Sequence, residues 1–524
     1  MQRGIAGKAL QDPVGITAFL GGHKRFAGKM KTRYEDFIVK EISKEGEVVE
    51  SSKEGSLPLE FRSLKASTGK HARMVLAKEN RDVADAVAML AKHLRIDARK
   101  IAFHGLKDRR AVTYQHISVP WELLNEELLA SSMSSSTWDR AVHISNLTRQ
   151  DTHCHLGWML GNDFCIALRA AELHAHAVPV DPGAARAMLM SQIEEASRNL
   201  CSIGFVNYFG RQRFGPSACS PLIGKAMVCG HHEMACRHIV CSMREDAVGY
   251  FEHLFARREF KKALAETPAR CAVERRVLRH LCASPDDYRG ALGSIPRRQR
   301  LFFARAFASL LWNKVVSARL EAFGREVFPG DLVLIRREEG EQEERMPHNQ
   351  SRYVAKGQRP DVRLPEVRTI RPGEQGDIPF SDVVLPVPGD QCVYPDHLPT
   401  QRLYAEVMQD NLFPYKLFSE LEQSYLEGSY RHAIATPLSF RARCVGYVEP
   451  CSRLMVSALD HIRGRRLEPG HVLELASDSA VAEPRPDVRT GVIVNLALRA
   501  GQYATIAMRE FMQGPPSNEF YSSG

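Results

Sequence analysis

The sequence predicts an α+β protein that contains more than one domain. Strand-like and helical segments alternate over the first hundred residues, which favours a sheet covered by helices over a helix bundle. Strand-like patterning returns in the last hundred residues, and the region between has a different composition. With 524 residues and a hydrophobic content of 44%, the chain can bury a large core and is long enough for about two to four domains.

The N-terminal part is predicted to contain a strand followed by a helix. The segment KMKTRYEDFIVKEI (29–42) is typical of a turn and a strand, because Phe37 and Val39 would share one face and their neighbours the other. Residues 80–94 carry apolar side chains at helical spacing, and Asp82 stands near their start as a candidate cap.

Two more strands and a long helix are predicted next. The segment HCHLGWMLGNDFCIALRA (153–170) has the pattern of two strands joined at Gly161-Asn162. Residues 178–200 then predict a turn followed by an amphipathic helix.

The composition changes between about 233 and 425. Residues 297–320 predict a strong helix with a wide apolar stripe, and residues 330–335 and 383–387 predict strands. The stretch between these strands, about 336–379, is poor in large apolar side chains. We therefore expect it to be a flexible surface insertion.

The C-terminal region is predicted to return to strands and to end in a helix. RARCVGYVEP (441–450) and VIVNLAL (492–498) have strand-like patterns, and YATIAMREFM (503–512) indicates a loop that leads into a helix.

Charge and hydropathy limit the class of protein. A formal net charge of +9, from 71 Lys and Arg against 62 Asp and Glu, suggests a polyanionic partner without requiring one. No apolar run approaches the roughly 18 residues that span a bilayer, so no membrane association is expected. The first 22 residues contain neither an apolar signal core nor a convincing cleavage site, so secretion is not expected, whereas mitochondrial import stays open.

The twelve cysteines indicate neither a disulfide scaffold nor a zinc site. They are scattered and contain no CxxC pair. The cysteines and histidines between 229 and 241 fit no standard zinc spacing and are more typical of a helix with buried thiols. We expect reduced cysteines and a protein of the nucleus, the cytoplasm or both.

A dense charged stretch, FHGLKDRRAVTYQ (103–115), places one acid among three cations. Asp108 is flanked by Lys107, Arg109 and Arg110 at the mouth of a predicted strand, since RIDARKIAFHG just before this stretch indicates the end of a helix that runs into an apolar strand. Taken alone, such a run is typical of a solvated turn.

A glycine-rich and aromatic stretch, GFVNYFGRQRFGPS (204–217), suits an unstacked nucleobase. Rings could stack on the base while amides read its edge, although a loop anchored to the core by its rings has equal standing. The chain shows no Walker loop, GxGxxG, GxSxG, HExxH or zinc-deaminase pattern.

These two stretches carry a resemblance to a known family. FHGLKDRRAVTYQ is similar to the signature of the TruD family of pseudouridine synthases, roughly GxKDxRAxTxQ, and NYFGRQRFG resembles the second motif of that family. Further resemblances follow in the expected order: RYEDFIVKEI, LGNDFCIALR, LPVPGDQCVYP, GSYRHAI and YATIAMRE. Together they extend over almost the whole chain, and their order and the chain length resemble the eukaryotic branch.

The resemblance implies a domain organisation. A pseudouridine synthase catalytic domain with a mixed β-sheet would be formed by residues 1–232 and 426–524. It would be interrupted by an inserted α/β domain, the TRUD domain, at 233–425, with the flexible insertion at about 336–379 inside it. RNA would bind in a cleft between the two domains.

The resemblance also implies the reaction and the partners. Uridine in RNA becomes pseudouridine when the N1–C1′ bond breaks, the base turns and C5 bonds to C1′, without a cofactor or a metal. The implied partner is tRNA, with mRNA as a further candidate. A monomer that needs no guide RNA is implied as well.

By motif position the resemblance implies Asp108 as the catalytic residue. The resemblance implies substrate contacts for Lys31, Phe37, Asn207 and Tyr503. Further candidates for substrate binding are Phe209, as a stacking ring beside Asn207, and the charged Lys107 and Arg109. Lys31 would pair with phosphate or with Asp108, whereas Phe37 and Phe209 have core packing as an alternative. The segment before YAT lacks a proline common in the family, so the loop that places Tyr503 can differ in shape.

General chemistry agrees with an aspartate in this role. A carboxylate near C1′ can act as a nucleophile or stabilise an oxocarbenium-like sugar, and a nearby cation favours its ionised form. Because neighbouring residues of a strand point to opposite faces, we expect one or two of the cations at 107, 109 and 110 to reach Asp108 and another to face phosphates. Whether Asp108 attacks C1′ or removes a proton from C2′ stays open.

Two other interpretations stay open. One is an RNA-binding or tRNA-folding protein that kept the scaffold and lost efficient catalysis, although a decayed enzyme should lose its acid first. The other is a glycosidase-like enzyme with a non-RNA substrate, which the basic excess and the aromatic–arginine loop disfavour.

Overall fold

The computed structural model describes most of the chain. The described residues are 12–51, 68–133, 141–174, 181–215, 219–242, 247–335, 364–410, 426–448, 453–467, 472–475 and 488–516.

The strands and helices follow one another in this order along the chain. The strands are β1 Phe26–Lys29, β2 Phe37–Ile42, β3 His71–Glu79, β4 Ala102–Phe103, β5 Val112–Pro120, β6 Val142–Gln150, β7 Gly161–Leu173, β8 Phe205–Val206, β9 Leu332–Leu334, β10 Val367–Thr369, β11 Val383–Val387, β12 Ser429–His432, β13 Ile434–Ala435, β14 Ser439–Val448, β15 Val472–Glu474 and β16 Val488–Arg499. The α-helices are α1 Val83–Leu94, α2 Glu126–Met133, α3 Pro182–Ser202, α4 Ser220–Val228, α5 His232–Cys241, α6 Val248–Ala256, α7 Phe260–Glu266, α8 Ala272–Ala283, α9 Tyr288–Gly293, α10 Arg297–Phe323, α11 Leu398–Asp410, α12 Ala458–Ile462 and α13 Ala504–Met512. Within the described ranges, no helix is long and apolar enough to cross a bilayer.

One mixed sheet of ten strands organises the fold, as the resemblance implies. Its order is β15-β14-β16-β7-β2-β5-β3-β6, with β1 paired to β7 and β4 to β5. β2 and β5 run parallel, whereas the pairs of β2 with β7 and of β5 with β3 are antiparallel. The predicted faces of β2 are confirmed, because Phe37 and Val39 enter one apolar cluster and Ile38 enters another.

Two groups of helices pack on this sheet, and a third group forms a core of its own. α1 and α2 cover β3, β5 and β6, where Leu90 and Leu129 are fully buried. α3 and α13 cover β7 and β16, and their cluster also takes in Trp312 of α10. Helices α4 to α9 enclose a separate apolar core that includes Phe251 and Leu278.

A second, four-stranded sheet lies in the middle region, with the order β10-β9-β11-β12. β12 lies just after residue 425, the predicted end of the inserted domain, and pairs with β11 inside it. The domain boundaries stay a prediction.

Most predicted elements are confirmed near their predicted bounds. Asp82 is the N-cap residue of α1, and α3 and α10 span the two predicted long helices. The stretch 232–241 is a helix with Cys236 and Cys241 buried, as predicted.

Two predictions about elements are wrong. Residues 153–170 do not form two strands, because the chain turns at Gly157, which has a φ of +93°, and a single strand β7 begins at Gly161. The predicted flexible insertion at 336–379 extends too far, since β10 at Val367–Thr369 pairs with β9 and Ile370 is buried. Residues 336–363 lie outside the described residues.

Candidate active site at the loop before β5

Asp108 lies in the irregular loop that joins β4 to β5, not on a strand. A tight turn ends this loop, with Ala111 N donating to the carbonyl of Arg109. β5 begins at Val112, which pairs with Ile38 of β2. The loop therefore meets the start of β2 and the segment that precedes it.

Buried side chains hold the loop from below. The Gln115 amide donates to the carbonyl of Gly105 at 3.0 Å, and the Lys78 ammonium donates to the carbonyl of Asp108 at 2.7 Å. Lys78 is fully buried, and burial lowers its pKa to about 8, although the negative charges of Asp108 and Asp82 oppose the shift. The backbone position of Asp108 is thus fixed independently of its carboxylate.

The carboxylate of Asp108 has a partner on each oxygen. Lys31 Nζ lies 2.7 Å from Oδ2, and Gln212 Nε2 donates to Oδ1. The Asp108 side chain is 17% exposed, so it is sheltered but reachable from one side. Burial would raise the pKa of Asp108, but the charge and hydrogen bond of Lys31, the hydrogen bond of Gln212 and the charge of Lys78 together lower it below its usual value.

Lys31 is placed by a defined backbone and by its neighbours. It has a φ of +53°, in the left-handed region, and its carbonyl accepts a hydrogen bond from Arg110 Nε at 2.9 Å. Its ammonium stands 4.0 Å from the centroid of the Phe37 ring. In this structure Lys31 pairs with Asp108, one of its two predicted partners, and a contact of Lys31 with phosphate stays a prediction.

The segment that carries Lys31 is tied to β7. Asp36 forms a two-point ion pair with Arg169, with both N–O distances at 2.8 Å, and both side chains are almost fully buried. Such a fork fixes orientation as well as distance. The motifs RYEDFIVKEI and LGNDFCIALR therefore meet at this pair.

Within the described residues, none of the three adjacent cations forms an ion pair with Asp108, contrary to the prediction, although Asp108 and Lys107 still interact through their charges. Lys107 turns inward with a side chain that is 2% exposed, and its ammonium lies 3.4 Å from Glu41 Oε2 and bonds to Asn162. Arg110 binds the backbone before β2, and Arg109 is exposed. The loop is not an extended strand, so the alternation of faces does not apply. A buried Lys107 cannot reach a phosphate, whereas a contact of Arg109 with RNA stays a prediction.

The glycine-rich loop is anchored by α10 and by β12. The backbone N and O of Phe209 bond to the buried Asn313 amide at 2.9 and 3.0 Å. Asn207 accepts from Arg431 at its carbonyl, 2.6 Å, and at its side-chain oxygen, 2.7 Å, and its amide donates to the carbonyl of His432.

The rings of Phe209 and Tyr503 are neighbours, and the guanidinium of one arginine lies over both. Their ring centroids are 6.4 Å apart, and the Arg431 guanidinium stands 4.3 Å from the Phe209 ring and 5.8 Å from the Tyr503 ring. A Cβ on Gly210 would come within 2.8 Å of Tyr503, so this close approach requires glycine. Burial lowers the pKa of Arg431 to about 10.

The structure thus brings most of the predicted site residues around one carboxylate and one aromatic pair. Phe37, Asn207 and Phe209 are 1%, 6% and 8% exposed, so each has a packing role already, and Tyr503 is half-buried. Their contacts with substrate stay a prediction.

Three residues at the site were not singled out from the sequence. Gln212 lies within the NYFGRQRFG motif, but composition gave no reason to pair it with Asp108. Arg431 lies within the motif GSYRHAI, and composition likewise gave no reason to place it at the site. Lys78 had a signal of its own, because a lysine in the apolar strand HARMVLAKE needs a buried partner.

One group of potential metal ligands lies beside the loop. Within the described ranges, ligand atoms of Glu41, His104 and His116 lie within 4.8 Å of one another. The Lys107 ammonium already neutralises Glu41 from 3.4 Å. Glu41 is therefore better described as the counter-charge of Lys107 than as a metal ligand.

Comparisons with known proteins agree with this fold. The profile of the family described as "tRNA pseudouridine synthase D (TruD)" matches residues 13–445. The crystal structure of a putative tRNA pseudouridine synthase D from Methanosarcina mazei superposes with a TM-score of 0.64 at 20% identity, covering 96% of this chain and 97% of that one.

Curated relatives come from eukaryotes and archaea. The mouse "Pseudouridylate synthase 7 homolog" is 25% identical over 95% of this chain and 80% of its own length. The "Multisubstrate pseudouridine synthase 7" of Schizosaccharomyces pombe is 26% identical over 86% of this chain and 63% of its own. A "Probable tRNA pseudouridine synthase D" of Methanosarcina acetivorans is 28% identical over 63% of this chain and 69% of its own.

The fold and the site define a pseudouridine synthase, an isomerase that converts uridine in RNA to pseudouridine. More narrowly, the chain belongs to the TruD family of these enzymes, and it is similar to the members of the eukaryotic branch.

Proposed function

We propose that Asp108 is the catalytic residue of this enzyme. The observation that supports this proposal is a sheltered but reachable carboxylate whose pKa is lowered by Lys31 and Gln212. An ionised carboxylate can attack C1′ or accept a proton from C2′ when the N1–C1′ bond breaks. Substrate and product contain the same atoms, because the C5 proton is lost, N1 gains one and C5 bonds to C1′.

The proposed substrate is tRNA, with mRNA as a further candidate, and the target uridine would be turned out of its stack to reach Asp108. Relatives named as tRNA pseudouridine synthases support tRNA, and the name "multisubstrate" of the fission-yeast relative supports a wider range. We propose further that the enzyme acts as a monomer without a guide RNA. Free cysteines throughout the described ranges support the nucleus, the cytoplasm or both as its compartment, and mitochondrial import stays open.

The test is Asp108→Asn, assayed by tritium release from RNA labelled at C5 of uridine. The variant keeps the size of the side chain, so we expect release to fall by at least about a thousandfold, in line with the loss of a group that acts on the reacting atoms. Its affinity for tRNA should stay near that of the wild type.

Asp286→Asn is the matched control, because Asp286 is a 75% exposed carboxylate in the helical region. It should retain full release. Release by Asp108→Asn at the wild-type rate would refute the catalytic assignment. Tight tRNA binding by the wild type without any release would instead favour an RNA-binding or tRNA-folding protein.

A further inference from the structure

Both oxygens of Asp108 are occupied before any RNA is bound. Lys31 holds Oδ2 through an ion pair at 2.7 Å, and the Gln212 amide donates to Oδ1. A group of the substrate that uses this carboxylate must approach one of these two oxygens, because proton transfer and nucleophilic attack both need direct contact.

Lys31 is held in place by more contacts with the protein than Gln212 is. Lys31 has its carbonyl bound by Arg110 and its ammonium over the buried Phe37 ring, and its side chain is 20% exposed. Gln212 is an exposed residue in the short 3-10 turn Arg211–Arg213. Within the described part of the chain, its amide makes this one hydrogen bond.

The two partners also differ in charge. Removal of Lys31 would leave a sheltered carboxylate without its ion-pair partner, which is unfavourable. Removal of the neutral Gln212 amide costs one hydrogen bond, and an incoming hydroxyl can replace it. Oδ1 is therefore the oxygen that the substrate can take over.

We propose that Gln212 is a positioning residue that holds Asp108 through Oδ1 in the free enzyme and yields that oxygen to the ribose of the target uridine. Lys31 keeps Oδ2 in both states. The inference rests on the proposed catalytic role of Asp108 and adds which oxygen reacts and which side chain moves. The turn at 211–213 continues the loop that carries Phe209. Binding of the base against Phe209 and release of Gln212 from Asp108 would therefore involve the same segment of the chain.

The test exploits the difference between the free enzyme and the enzyme–RNA complex. In Gln212→Glu, a second carboxylate faces Asp108 in the free enzyme, and two neighbouring carboxylates cannot both ionise easily. The acid limb of kcat/KM, which reports the free enzyme, should move up by at least about one pH unit. The acid limb of kcat, which reports the complex, should stay at the wild-type position, since residue 212 has left Oδ1.

Single-turnover tritium release is measured between about pH 4.5 and 8, the range in which a raised carboxylate pKa would appear. Release at low enzyme concentration gives kcat/KM, and release at saturating enzyme gives kcat. Gln375→Glu is the matched control, because Gln375 is exposed in the turn after β10, and the variant adds the same charge away from Asp108. It should leave both limbs in place. Thermal unfolding and tRNA affinity of both variants check folding and binding.

The outcomes separate this inference from the proposed function. A shift of both limbs would show that Gln212 stays on Asp108 during the reaction, and a shift of neither would show that it does not act on Asp108, so either result overturns the inference. Full activity of Asp108→Asn in the same assay would instead remove the proposed function.

Discussion

Asp108 obtains its ionised state from residues that are distant in sequence. Lys31 lies 77 positions away and Gln212 lies 104 positions away, whereas the adjacent Lys107 and Arg110 contact other partners. Burial acts against ionisation, so the lowered pKa of Asp108 depends on Lys31 first. The ion pair therefore contributes stability above the ordinary pKa of an aspartate, and this contribution is lost as the pH falls through the lowered value.

Lys31→Met tests this dependence. Without the ammonium, burial becomes the largest remaining influence and should raise the pKa of Asp108, so a smaller fraction stays ionised in mildly acidic solution. We expect tritium release by the variant to fall further below that of the wild type as the pH decreases, by up to about tenfold for each pH unit below the raised pKa of Asp108. The loss should shrink as the pH rises.

Lys31→Arg keeps the charge and should retain more activity than Lys31→Met at pH 6. Lys261→Met, at an exposed position on α7, controls for the loss of one positive charge and should be active at every pH. A pH-independent loss in Lys31→Met would contradict the proposed role of this ion pair.

At the scale of elements, the loop before β5 is held by a second, fully buried ion pair. Lys107 and Glu41 have side chains that are 2% and 0% exposed, and Glu41 belongs to β2. Burial lowers the pKa of Lys107, and Glu41 opposes this shift. The pair thus binds the loop to the strand that lies parallel to β5.

Glu41→Gln tests how far the loop depends on this pair. The change leaves Lys107 buried without its ion-pair partner, which typically costs about 3–5 kcal/mol in local stability. Amide hydrogen exchange across residues 104–111 and β2 should speed up accordingly, and release of tritium should fall.

The double variant Glu41→Gln and Lys107→Met removes both charges and should recover most of the protection. Glu252→Gln removes an exposed partner of Arg237, with both side chains about half exposed, and should change local stability by at most about 1 kcal/mol. Unchanged exchange at 104–111 in the single variant would show that the pair does not hold the loop.

At the scale of the molecule, the strands, the motif and Lys31 as a candidate partner of Asp108 were predictable, whereas Gln212 and Lys78 as further partners were not. The alternation of faces predicted for β2 is present in the structure, where the side chains of its two faces enter different apolar clusters. Adjacent charges suggested that Lys107 would serve Asp108, but an irregular loop sends the two side chains in different directions. Such long-range pairs depend on how segments meet, and local patterns do not contain that information.

The molecule also concentrates positive charge beside its aromatic pair, which predicts a steep salt dependence. The guanidinium groups of Arg213 and Arg431 stand 5.5 and 4.3 Å from the Phe209 ring, and Arg213 helps to lower the pKa of Arg431 and of Arg305. The guanidinium groups repel one another, and RNA phosphates bound beside them would reduce this repulsion. The logarithm of the tRNA association constant should fall linearly with the logarithm of the salt concentration. Each phosphate contact contributes about 0.7–0.9 to the steepness of this line.

Arg213→Ala should reduce that slope by roughly one phosphate contact while Asp108 and Lys31 stay in place. Arg257→Ala is the matched control, because Arg257 is exposed and already paired with Glu259 at 3.3 Å, and it should leave the slope unchanged. Filter binding of tRNA at four or more salt concentrations measures both slopes. A wild-type affinity that is insensitive to salt would mean that the charge beside Phe209 does not contact the RNA backbone, because each released counterion must appear in the slope.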